Sequence, residues 1–167
     1  MVQIDAYKLL YVGEQTILDL QSDIRDESWS TPITGLGVSF DWVLGHYAAV
    51  EDWFLHHLNG DPYGLPQEWQ DTYWADTGGL VPYTSNFGRA AITAGFQATR
   101  QRLYSGLKWD LFHLNRCVKP GFFPVNVKTR GDAWLFVSAH AYWHLGELDA
   151  VRQLMGYPFR GTKGIHH

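Results

Sequence analysis

His140 and His144 stand four residues apart in AHAYWHLGEL, the apolar, helix-forming run from Ala139 to Leu148. On an α-helix that spacing offsets the two imidazoles by about 40° and roughly 6 Å, so both can point at one ligand. Phe136, Val137 and Glu147 lie on the same stripe, so the pair emerges from a core-facing surface. An imidazole buried there needs a polar partner, because leaving it unpaired costs on the order of 1–3 kcal/mol. Neighbouring hydroxyls or carbonyls could be that partner, and so could a metal ion. Ala141 follows the first histidine, so the zincin pattern HExxH with its glutamate base is not the one used here.

A transition ion held by protein usually takes three or more donors, so the pair needs a third residue. His46 lies in SFDWVLGHYAAVEDWFL, with Ser39, Trp42, Val43, Ala49, Val50 and Trp53 at helical spacings around it. A lone histidine on such a face is usually packed core. Three inward histidines would each need a separate polar partner in an aromatic-rich interior, whereas one shared cation satisfies them all. Three imidazoles suit Zn²⁺, Ni²⁺ or Fe²⁺ and leave a coordination position for water or substrate.

Glu147, one turn beyond His144, is the candidate catalytic carboxylate, as a hydrogen-bond acceptor for a ligating imidazole or as a base. An ordinary exposed helix glutamate would occupy the same position. Tyr47, Asp52, Trp53 and Tyr142 are pocket or packing residues. Arg89 and Arg130, at predicted helix starts, could anchor a substrate carboxylate or phosphate, though a surface role fits them better. His56 and His57 end a helix, where cations favour the dipole, and are read with His113 as surface or rim residues.

The elements that must position these groups are helices. Leu9, Leu10, Ile17, Leu20 and Ile24 form a helical stripe over about Ile4 to Ile24. Ser30-Thr31-Pro32 offers a cap and a first-turn proline for a second helix, from about Thr34 or Leu36 to Leu58, which Asn59-Gly60-Asp61-Pro62 stops. Residues 60 to 87 carry several glycines, prolines and aromatics, too many residues for a tight turn between antiparallel neighbours. A crossover of that length lets a third helix, Phe87 to Asn115, run parallel to the second. Thr129 with Asp132 resembles a capping box opening the fourth helix, which ends at Gly156. The expected fold is all-α, a four-helix bundle with a long crossover between helices 2 and 3.

The 167 residues fit one domain, taken as 1–160, with 161–167 a tail. Gly164-Ile165-His166-His167 looks like the start of a purification tag, so those histidines are left out of the ligand set. Thirteen Lys and Arg against 17 Asp and Glu are scattered, which argues against a nucleic-acid footprint. The opening MVQIDAYKLLYVGEQ carries charges and no continuous apolar core, so no membrane span or secretory signal is expected there. A single cysteine, Cys117, fits a cytoplasmic protein and is expected to be a buried or inert thiol. Eight Trp, nine Tyr and nine Phe must fill both a core and a pocket wall or partner surface.

LGHYAAVEDWFL on helix 2, the long crossover, and a last helix carrying HAYWHLGELDAVRQLMGYP together resemble the DinB/YfiT-like superfamily of metalloenzymes. The resemblance runs from about Thr31 to Pro158. It implies a four-helix bundle with an overhand crossover, often a homodimer, and a metal triad at the positions of His46, His140 and His144. It also implies a small-molecule substrate. Members include thiol-dependent S-transferases using bacillithiol or mycothiol, a glutathione-using isomerase and hydrolases. The expected activity is metal-dependent activation of a low-molecular-weight thiol for S-transfer to an electrophile. The alternatives are a hydrolase using metal-bound water and a non-catalytic metal-binding stress-response or dimerisation protein.

Overall fold

The computed structural model describes residues 2–33, 37–74, 87–124 and 126–160, with side chains from residue 6 onward. Six helices form among them: α1 (Val2–Gln21), α2 (Asp26–Trp29), α3 (Phe40–Asn59), α4 (Gln67–Tyr73), α5 (Arg89–Asp110) and α6 (Arg130–Leu154). No strand forms among the described residues, and one isolated antiparallel bridge joins Cys117 to Thr129.

The four long helices carry the packing. Contacts advance together along α3 and α5, from Tyr47 against Phe96 to Glu51 against Arg100, so these two helices are parallel. α6 runs against α3, since His46 meets His144 while Phe54 meets Trp134. α1 in turn opposes α5, the Leu10 carbonyl facing Arg100 and the Gln21 carbonyl facing Arg89. A parallel α3–α5 pair requires the chain to cross the length of the bundle between them, as the long interruption predicted.

Part of that crossover is helical, where irregular chain was expected. Trp69 and Tyr73, four residues apart, bury one face of α4, and Trp69 donates its indole N–H to the Gly45 carbonyl at 3.0 Å. The buried Asp52 carboxylate anchors the approach to α4 by accepting from the Gly64 and Leu65 amides, while Arg102 pairs with it from α5. Asp52 is therefore scaffold for the crossover rather than a site residue.

α3 begins at Phe40, later than the predicted start near Thr34 or Leu36, a stretch outside the described residues. Around it the chain closes a turn, with Ile33 N–H to the Val38 carbonyl at 2.8 Å and Gly37 at φ +68°. Only a residue without Cβ adopts that conformation readily, so Gly37 delays the helix and Pro32 stays outside it. α5 stops at Asp110, short of the predicted Asn115, because the chain turns there: the His113 amide bonds the Asp110 carbonyl at 2.7 Å.

α6 opens with the expected capping box. Thr129 accepts from the Asp132 amide at 3.1 Å, and Asp132 accepts from the Thr129 amide at 2.9 Å. These bonds satisfy donors that the first helical turn leaves orphaned. Cys117 is exposed in the connection before α6, so of the two readings, a buried or an inert thiol, the buried one is corrected. No described helix is long and apolar enough to cross a membrane.

Candidate metal centre

α3 and α6 bring His46, His140 and His144 together, one potential ligand atom of each within 4.8 Å of the others. The Nε2 atoms of His140 and His144 face each other at 3.0 Å. His46 and His140 are half-buried and His144 is buried, so the cluster lies at the edge of the core and opens outward.

Two of the three rings are held from behind. His46 Nδ1 lies 2.7 Å from the Tyr73 carbonyl, which can only accept, so Nδ1 carries the proton and Nε2 keeps a free lone pair. Trp42 stacks on the same imidazole, with centroids 4.9 Å apart and planes 4° from parallel. His144 Nδ1 lies 2.6 Å from Glu147 Oε2, which fixes its tautomer in the same way. His140 Nδ1 is buried without a partner among the described residues, and its ring packs near Phe136 and Tyr47.

Burial favours the neutral form of His46 and His140. Burial, reinforced by His144 and His46, pulls the His140 pKa down to about 3. Burial also lowers that of His46 against the opposing pull of the Tyr73 carbonyl. Burial alone would raise the Glu147 carboxyl, but its hydrogen bonds from His144 and Trp143 outweigh that and hold it below the usual range. Neutral imidazole beside a carboxylate that orients it is the state a transition metal requires of its ligands. The donor set fits a divalent ion.

The sequence pattern of the DinB superfamily matches residues 9–148, a span that includes all three histidines. The chain belongs to the DinB superfamily. A solved structure described as the conserved protein of a locus from Enterococcus faecalis has the same fold, with a TM-score of 0.69. Its sequence is 18% identical, and the match covers 90% of this chain and 95% of that one. No curated protein matches.

The other residues singled out in the sequence of this DinB-superfamily chain fall into two groups. Tyr47 packs against His140 and His144, with ring centroids 6.2 and 5.8 Å away. Tyr142 donates to the Leu9 carbonyl at 3.3 Å, and Trp53 joins Trp74, His57 and Phe123 in an aromatic cluster two turns beyond His46. Both arginines are structural: Arg89 binds the Ile24 and Gln21 carbonyls and Asp26, while Arg130 binds Asp110, the Leu58 carbonyl and Asn59. Neither is left to anchor a substrate anion. His56 stacks on Tyr63 and His57 on Phe122, half-buried at the end of α3.

Two contributors were not anticipated. The Tyr73 carbonyl lies in a helix the crossover was not expected to contain, although Trp69 and Tyr73 at i and i+4 were the available signal. The stacking of Trp42 follows from its place one turn before His46. A groove of about 990 Å³ lined by Asn59, Arg102, Trp109 and Arg130 among others includes none of the three histidines.

Proposed function

We propose that this chain is a metal-dependent enzyme that activates a low-molecular-weight thiol for transfer to an electrophilic small molecule. The observation that carries the reading is the convergence of three imidazoles, two with tautomers fixed from behind so that their Nε2 lone pairs face the cluster. His46, His140 and His144 would hold a divalent transition ion and leave coordination positions open. An ion held there would supply acidification of a thiol, so that thiolate would be available at neutral pH without a protein base.

Glu147 Oε2 takes His144 and its Oε1 takes the Trp143 indole at 2.9 Å, so its role here is to orient a ligand rather than to act as a base. A thiol, whose free pKa is about 8.5, needs no such base once it is next to a divalent cation. Trp42, Tyr47 and Phe136 give the cluster apolar walls, which lower the local dielectric and would strengthen the attraction of a bound cation for a thiolate. In the transfer the sulfur–carbon bond forms as the electrophile's leaving group departs with its electron pair, and the thiol proton goes to solvent.

Metal-loaded protein should conjugate at least one of glutathione, bacillithiol, mycothiol or coenzyme A to members of an electrophile panel, read by mass spectrometry. No conjugation with any of them would reject thiol transfer. Turnover without thiol that disappears in His46→Ala would establish hydrolysis instead. A cobalt-substituted protein whose spectrum ignores both thiol and azide would indicate a closed, non-catalytic site.

A further inference from the structure

Behind the histidines, three wholly buried side chains carry polar atoms without hydrogen-bond partners among the described residues. The Tyr47 hydroxyl has none, and one turn further along α3 neither Glu51 oxygen has one. Arg100 of α5 brings Nη2 to 2.9 Å from Glu51 Oε1 and its Cζ to 4.8 Å from the Tyr47 ring centroid. That contact has ion-pair proximity without hydrogen-bond alignment, so Arg100 Nε and Nη2 are unmatched as well.

Each unsatisfied buried group costs about 1–3 kcal/mol. Several concentrated in one place would consume much of a domain's whole stability of about 5–15 kcal/mol. Folded proteins meet such a demand with buried water, each molecule making about three hydrogen bonds. A line of ionisable groups leads from this cluster toward the surface. Arg100 lies one turn from Tyr104 on α5, and the Tyr104 hydroxyl donates to Glu14 of α1, both residues being half-buried. Tyr142 of α6 is the further titratable group whose field reaches Arg100.

We propose that Tyr47, Glu51 and Arg100 enclose ordered water, and that this hydrated cluster forms a proton path from solvent at Glu14 and Tyr104 to Glu51, behind the histidine centre. Each step moves one proton between oxygens while another leaves the far end, so nothing is oxidised and no charge accumulates. Complete burial, with the Glu14 charge nearby, pushes the Glu51 carboxyl well above its ordinary range, which favours its protonated, proton-donating form. Arg100, lowered to about 10 by burial, stays charged. The path does not depend on which reaction the histidine centre performs.

Infrared spectroscopy of the full chain in light and heavy water tests this. A neutral Glu51 gives the carbonyl stretch of a carboxylic acid, which Glu51→Gln removes and Glu51→Asp moves. In heavy water the band is expected to shift to lower frequency far ahead of the slowest core amides. Glu14→Gln combined with Tyr104→Phe is expected to delay that shift, and Tyr47→Phe to leave it unchanged. The absence of an acid band would mean a dry ion pair, and deuteration only in step with the core amides would mean a sealed cluster. Either result overturns the proposal, as does delay in Tyr47→Phe alone, which would put the entrance on the histidine side. Should the Glu51 variants not fold, the deuteration rate of the unmodified chain decides the matter.

Discussion

At the scale of single residues, the centre depends on three nitrogens and the groups that fix their direction. His46→Ala, His140→Ala and His144→Ala should each remove most of the metal from tag-free protein that otherwise carries about one ion per chain, as elemental analysis would show. Unchanged metal content in all three would defeat the assignment. Glu147→Ala should retain the ligands but lose the orientation of His144, weakening metal binding by about 10–100-fold in a competition titration with a chelator. An affinity equal to that of the unmodified protein would make Glu147 an ordinary helix glutamate. The same distinction explains why Glu147 was ambiguous in sequence: i+3 spacing places a carboxylate within reach of His144, but only the 2.6 Å approach to Nδ1 shows it engaged.

At the scale of elements, α4 carries the Tyr73 carbonyl to His46 and is clamped where glycines let aromatic rings approach. A Cβ on Gly45 would stand 2.5 Å from the Tyr73 ring, and one on Gly95 2.6 Å from Trp69. Gly45→Ala should therefore push Tyr73 away, costing about 1–3 kcal/mol in a urea titration as overpacked cores do, and should also weaken metal binding. Gly146→Ala is the contrast, since a Cβ there meets nothing within 4 Å and the position lies inside α6. Removing that helical glycine should add about 0.8–1 kcal/mol. Equal destabilisation by both changes would refute the close-approach argument. The long helices and the Thr129–Asp132 box were legible because helical periodicity and capping chemistry are local. So was the triad, through the spacing of His140 and His144 and the pattern around His46. α4 and the late start of α3 were not, because Trp69 finds the Gly45 carbonyl 24 residues away and the Gly37 turn is set by backbone torsion.

At the scale of the whole molecule, buried charge makes stability depend on pH from two directions. Asp23, bonded to Arg152 near the ends of α1 and α6, is held below its usual value, chiefly by that hydrogen bond and against partial burial. Its contribution is complete above the unfolded pKa, 3.8, and is lost as pH falls through the lower folded value. Asp23→Asn should thus be destabilising at neutral pH and should reduce the dependence on acid. Glu51 acts in the opposite sense. Its folded pKa lies well above the unfolded 4.5, so between the two the folded chain holds a proton that the unfolded chain releases. Folding stability then declines with rising pH from about 4.5, by up to about 1.4 kcal/mol per unit for one proton. Glu51→Gln keeps the shape and removes the ionisation, so chemical denaturation should show it more stable than the original chain at pH 8 and nearly equal at pH 4. A stability difference that is the same at both values would show that Glu51 is ionised in the fold, and Arg100 would then be its counter-charge rather than its neighbour across water.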